Sequence, residues 1–187
     1  MKVLLGISNR HVHLTEDDYK ILFGDSPLEK VKDLVQPGEY ASNQKVSIKT
    51  EKNTINNVRL LGPLRSYSQV EISKTDSFVL GVKPPVRNSG ELEDAAEVTI
   101  VGPNGEVTKK CCIIAARHLH ITPEDREKYG LVGVEKVKAI LNSEKATIFE
   151  DVYVKESPKY ALELHLDTDD GNGSLANTGD EIEIIKY

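Results

Sequence analysis

Apolar and polar residues alternate with a period of two along much of this chain, which predicts strands. Val46, Ile48 and Thr50 alternate with Ser47 and Lys49, and Tyr67 to Ile72 alternates in the same way. Val98 to Val101 and the run from Val107 flank Pro103-Asn104-Gly105, whose Asn-Gly pair favours a hairpin turn. Ala146 to Val154 is rich in β-branched and aromatic residues, Tyr160 to Asp167 alternates clearly, and Ile182, Ile184 and Tyr187 close a last strand. Two short helices interrupt the pattern. Thr15, with Asp18 three residues on, caps one that stops at Gly24. Thr122, followed by Pro123 and Asp125, caps the other, with a stop at Gly130. Pro84-Pro85 and Gly171-Asn172-Gly173 read as loops. Many short strands with turns between them predict a mainly β fold of barrels or sandwiches rather than alternating βαβ units.

The chain has 187 residues, enough for one domain or two small ones. Its 24 Lys+Arg against 30 Asp+Glu give a net charge of −6, which argues against a nucleic-acid or anionic-membrane surface. No apolar run nears the roughly 18 residues of a membrane span. The N-terminal apolar stretch turns polar at Ser8-Asn9-Arg10, too soon for a secretory signal. The two cysteines, Cys111 and Cys112, are adjacent and cannot staple a fold. A reducing cytoplasm is the expected setting, with both read as ordinary buried thiols.

The five histidines change the picture. Four lie in two copies of one motif, Arg10-His11-Val12-His13-Leu14-Thr15 and Arg117-His118-Leu119-His120-Ile121-Thr122. On a strand, residues i and i+2 share a face, so each pair presents two imidazoles together, a donor set suited to zinc. One such pair is as often two half-buried histidines as a ligand set; two copies favour metal. The repeat is read equally as an internal duplication or as one site's demand met twice. His165 faces away from Leu162, Leu164 and Leu166, on the side of Glu163 and Asp167, and is a candidate third ligand with Asp167 or Asp169 orienting it. Glu71, opposite Val70 and Ile72, is a candidate to complete a His₂Glu set. Arg65 follows a Gly-Pro turn and can grip a phosphate or carboxylate in its planar fork; alone, Arg65 and Glu71 read as a solvated charge pair. Phe78 reads as core packing, or more sharply as a stacking surface for a base. There is no glycine-rich phosphate loop. From the residues alone, an acyl-transfer enzyme and a two-metal hydrolase acting on a thioester or phosphoester stand level, with a non-catalytic metal module behind them.

Six stretches taken together carry a resemblance. They are Ser8-Asn9-Arg10-His11-Val12-His13-Leu14, Gly62-Pro63-Leu64-Arg65, Gln69-Val70-Glu71-Ile72-Ser73, Pro84-Pro85-Val86-Arg87-Asn88-Ser89-Gly90, Ala115-Ala116-Arg117-His118-Leu119-His120 and His165-Leu166-Asp167-Thr168-Asp169-Asp170. In them the sequence resembles the PduL-type phosphotransacylases, or phosphate propanoyltransferases. The resemblance implies interconversion of a short-chain acyl-CoA (acetyl or propanoyl) plus inorganic phosphate with acyl phosphate plus CoA. It implies two small β-barrels with the active site at their junction: residues 1–9 plus 121–187 in one, the inserted 10–120 in the other. It implies two zinc ions, one on His11, His13 and Glu71, the other on His118, His120 and His165. Arg65 is the implied phosphate-binding and catalytic residue, and Ile7, Ser8, Asn9, Phe78 and Asn172 fall where the family contacts CoA. A homodimer is implied, and the start of the metal motif at Arg10 implies a free cytoplasmic enzyme without a packaging extension. The family usually carries alanine where this chain has Gly171 and Gly173, which implies a more flexible segment and altered CoA affinity or acyl preference here.

Overall fold

The computed structural model describes residues 1–187, mainly as strands. In chain order the elements are β1 (Lys2–Ser8), β2 (His11–His13), α1 (Glu16–Phe23), β3 (Lys30–Asp33), β4 (Tyr40–Lys49), β5 (Thr54–Gly62), β6 (Gln69–Glu71), α2 (Lys74–Leu80) and β7 (Val86–Arg87). The second half continues with β8 (Ala96–Val101), β9 (Glu106–Ala115), β10 (His118–Ile121), α3 (Pro123–Lys128), β11 (Lys136–Leu141), β12 (Thr147–Glu156), β13 (Glu163–Asp167), α4 (Thr168–Ser174) and β14 (Glu181–Ile185).

Two compact units result. The first holds Met1–Ser8, Val35–Pro37 and Ala116–Tyr187; the second holds Asn9–Leu34 and Gly38–Ala115. The boundary expected after residue 120 therefore lies after Ala115. The reason is strand pairing: β10 bonds to β12 and β13, so the second His pair belongs with the C-terminal strands.

Each unit is a closed barrel of six strands. The first runs β1-β13-β10-β12-β11-β14 and closes where β1 meets β14, Val3 opposite Ile182. The second runs β2-β5-β4-β8-β9-β6 and back to β2, with β3 added at β4 and β7 at β9. Alternating side chains fill the interiors: Leu5, Leu119, Ile121, Leu141 and Leu164 in the first, Val12, Leu14, Ile48, Leu60, Val70 and Ile100 in the second. Each such side chain contributes about 1.5–3 kcal/mol by leaving water.

The helices are set by their caps. Thr15 and Thr122 accept hydrogen bonds from the Asp18 and Asp125 backbone N–H groups, as the sequence predicts. Gly24 and Gly130 follow with φ near +64°, a conformation that favours glycine. α2 was not expected; Ser73 and Asp76 form a full capping box ahead of it. Gly171-Asn172-Gly173, expected as a loop, lies inside α4. Asp167 caps that helix by accepting from the Asp170 N–H, and a side chain at Gly171 would meet Ile7 at 2.6 Å. The glycine there reports close packing rather than a turn. No helix is long and apolar enough to cross a membrane.

Candidate functional site

In the second unit, β2 lies between β5 and β6, and its register sets His11 directly opposite Glu71 and His13 opposite Gln69. Val12 points into the core, so both imidazoles emerge on the other face with the Glu71 carboxylate. One ligand atom from each of the three lies within 4.8 Å of the others. The His11 Nε2 is 3.5 Å from Glu71 Oε2, and the His13 Nε2 is 3.9 Å from Oε1. The Asn9 carbonyl takes the His11 Nδ1–H at 2.8 Å, which leaves Nε2 with the lone pair. The His13 Nδ1 is buried with no hydrogen-bond partner. Burial, aided by the positive charges of His11 and Arg65, holds His13 well below the usual imidazole range, so it is neutral. Burial also opposes charge on His11, but Glu71 and the Asn9 carbonyl outweigh it and raise that ring. Two imidazoles, one of them held neutral, and a carboxylate with ligand atoms within 4.8 Å of one another form a donor set that fits a metal ion.

The first unit repeats the construction. β10 sets His118 opposite His165 and His120 opposite Glu163. Ligand atoms of His118, His120 and His165 also lie within 4.8 Å of one another. The Ala116 carbonyl takes the His118 Nδ1–H at 2.7 Å, matching Asn9 in the other unit. Tyr160 stacks on His120 with ring centroids 4.1 Å apart. The carboxylate that orients His165 is Glu163, at 2.7 Å from Nε2, where Asp167 or Asp169 was expected; Asp167 is used instead as the cap of α4. Glu163 is itself held by Gln36, whose amide donates to it at 2.9 Å and to the Ala161 carbonyl at 3.1 Å. Burial would raise the Glu163 carboxyl, yet the hydrogen bonds from His165 and Gln36 win and keep it below the usual range. Gly6 makes the room: a Cβ there would fall 2.8 Å from Glu163 Oε1.

Two further matches link the units' designs. Gln69, two residues before Glu71, donates to Glu71 Oε1 at 2.6 Å, as Glu163, two residues before His165, accepts from it. The arginine ahead of each His pair bonds an aspartate five residues beyond the third ligand: Arg10 to Asp76 at 2.6 Å, Arg117 to Asp170 in a bidentate pair at 2.7 and 2.9 Å. Each aspartate sits in the first turn of the helix that follows the third-ligand strand. Sequence reasoning singled out none of Gln36, Gln69, Asp76, Glu163 or Asp170 as holding the site, though the i, i+2 spacing of Gln69 and Glu163 carried the signal.

Arg65 connects to this network. Its Nη1 donates to Tyr67 and to Ser89 Oγ at 3.1 and 3.2 Å, and Ser89 Oγ also receives the Gln69 amide at 2.9 Å. Its Nη2 pairs with Glu39 at 2.7 Å. The fork is thus already engaged with one oxyanion. Of the residues implied for CoA, Ile7 and Ser8 end β1 and Asn172 is exposed on α4, all in the first unit; Asn9 and Phe78 lie in the second. Phe78 corrects its core reading: it projects from α2 at 65% exposure, with the Lys74 ammonium 4.8 Å from its ring centroid. Cys111 and Cys112 are buried, as expected.

Comparison with known proteins places the chain. The sequence model of the family described as phosphate propanoyltransferase matches residues 4–177. A phosphate propanoyltransferase of Thermotoga maritima is 48% identical over 99% of this chain and 90% of its own length. One of Priestia megaterium is 46% identical over 95% and 83%, and one of Citrobacter freundii 44% over 92% and 83%. The residues carrying both clusters and Arg65 all fall within the matched span. The chain belongs to the phosphate propanoyltransferase family.

Proposed function

We propose that this protein, a phosphate acyltransferase by family, moves a short acyl group, acetyl or propanoyl, directly between CoA and inorganic phosphate at a two-zinc site. A phosphate oxygen attacks the thioester carbonyl, the C–O bond forms as the C–S bond breaks, and acyl phosphate and CoA thiol leave. The observation that carries the reading is the pair of matched three-ligand clusters, one of them tied through Gln69 and Ser89 to an arginine that already grips an oxyanion.

His11, His13 and Glu71 would hold one zinc, His118, His120 and His165 the other. Three protein donors each leave positions for substrate, and bound zinc supplies carbonyl polarisation and a soft partner for the departing thiolate. Arg65 orients phosphate and offsets the charge of two anionic substrates, with phosphate replacing Glu39 at the fork. Tyr67 and Ser89 fix the guanidinium plane. Direct transfer is favoured because the two thiols are poor nucleophiles: burial pushes Cys111 up to about 12 and Cys112 higher still. Ile7, Ser8, Asn9, Phe78 and Asn172 are the proposed CoA contacts, with exposed Phe78 offered to the base. The working enzyme is proposed to be a cytoplasmic homodimer, which light scattering tests.

The decisive experiment follows thiol release from acetyl- and propanoyl-CoA with and without phosphate. Release that requires phosphate and yields acyl phosphate supports the transferase. Release without phosphate means hydrolysis. Intact mass after incubation with acyl-CoA alone tests direct transfer, since an acylated chain would overturn it.

A further inference from the structure

The two clusters differ in their third ligand, a carboxylate in one and an imidazole in the other, and the residue touching that ligand differs in the complementary sense. In the second unit Glu71, an acceptor, meets the amide of Gln69. In the first unit His165, an N–H donor through Nε2, meets the carboxylate of Glu163. The two holders occupy the same place: two residues before the ligand, on the same face of the strand, opposite the second histidine of the pair. Each is buried and fixed from behind. The Gln69 carbonyl oxygen accepts the Gly90 N–H at 2.8 Å, and Glu163 takes the Gln36 amide.

We propose that Gln69 and Glu163 are positioning residues matched to their ligands, each setting which donor atom its third ligand can offer to a metal. The chemistry is one of hydrogen-bond sign. Gln69 donates to Oε1 of Glu71, which fixes its rotamer and sets Oε2 toward the imidazole pair, 3.5 Å from His11 Nε2. Glu163 accepts from Nε2–H of His165, which fixes the tautomer and leaves Nδ1 as the lone pair. An amide beside an imidazole specifies neither nitrogen, because it offers a donor and an acceptor. A carboxylate beside a carboxylate repels it. The holder and the ligand therefore exchange only as a pair.

The inference rests on the two-zinc reading, and the test separates the two. The full-length protein is loaded with zinc, and stoichiometry and affinity are read by chelator competition, with folding followed by circular dichroism. Wild type is expected to bind two ions. Glu163→Gln is expected to weaken one of them by about 10–100-fold, the usual effect of losing such a partner, and to leave the other unchanged. His165→Glu alone is expected to bind weakly at that site, and His165→Glu with Glu163→Gln to recover affinity, because the pair then copies Glu71 with Gln69. Full two-ion affinity in Glu163→Gln, or no gain of the double variant over His165→Glu, overturns the proposal while leaving the zinc reading intact. Wild type that takes up no zinc overturns the zinc reading and this proposal with it.

Discussion

Arg65 is held by a carboxylate, Glu39, that phosphate, its proposed ligand, would have to replace. The Glu39 pair is half-buried and shares the guanidinium with Tyr67 and Ser89. Hydrogen bonds to charged groups contribute about 1.5–3 kcal/mol, so Arg65→Ala is expected to raise the KM for phosphate by about 10–100-fold. Glu39→Gln removes the internal competitor and is expected to lower that KM several-fold; steady-state kinetics with phosphate varied reads both. Asp18 is a purely structural counterpart. It is buried and receives hydrogen bonds from Ser68 and from Lys109, and the Ser68 hydroxyl also accepts the Thr15 N–H. Burial would raise its carboxyl, but these partners outweigh that and lower it. A lowered folded pKa means its stabilisation is complete above the unfolded value near 3.9 and lost as pH falls through the folded one. Asp18→Asn is expected to cost about 1–3 kcal/mol at pH 7 in urea melts, with the gap to wild type closing below about pH 4.

At the scale of elements, α4 shows how a short helix forms from a sequence that reads as a loop. Its two glycines weaken it, and the Asp167 cap together with the Arg117–Asp170 pair compensates. The two glycines are not equivalent. Nothing lies near a Cβ built at Gly173, whereas one at Gly171 would press on Ile7. Gly173→Ala is therefore expected to stabilise by about 0.5–1 kcal/mol, and Gly171→Ala to gain nothing because Ile7 must shift; thermal melts distinguish them. The third-ligand strands β6 and β13 are tied to their His pairs by register and by an Arg–Asp pair one helical turn further on.

At the scale of the molecule, the two barrels have the same strand order and the same senses. β2 runs parallel to β5 and antiparallel to β6; β10 runs parallel to β12 and antiparallel to β13. β9 is to the second barrel what β1 is to the first, parallel to the third-ligand strand and antiparallel to the last. Yet β1 precedes the His pair of the second unit, and β9 precedes that of the first. Each half thus lends its opening strand to the other half's barrel, as a duplicated chain with exchanged first strands would. Residues 116–187 alone lack a strand and present open edges, so they are expected to stay unfolded. Because Met1 bonds Ile184 through both its N–H and its carbonyl, a short turn from Tyr187 to a copied Met1–Ser8 is expected to close the barrel and give a cooperative melt. An equally unfolded permuted fragment would count against the exchange.

Much was legible in the residues themselves. Strand alternation, the Thr15 and Thr122 caps and the hairpin at Asn104-Gly105 are local, and local spacing suffices for them. The repeated Arg-His-x-His motif marked both clusters because the period of a strand alone puts two imidazoles on one face. Tertiary structure decided the rest. β3, with its four residues exposed, carries no apolar pattern to read. Gly171 was misread because its reason is Ile7, far off in sequence. Which third ligand faces each His pair, and which barrel β1 and β9 close, are fixed by pairing between strands that are not neighbours in the chain. Sequence determined which groups each strand can present, since that depends on side-chain period; only the closed barrels decided which of them meet, since that depends on pairing.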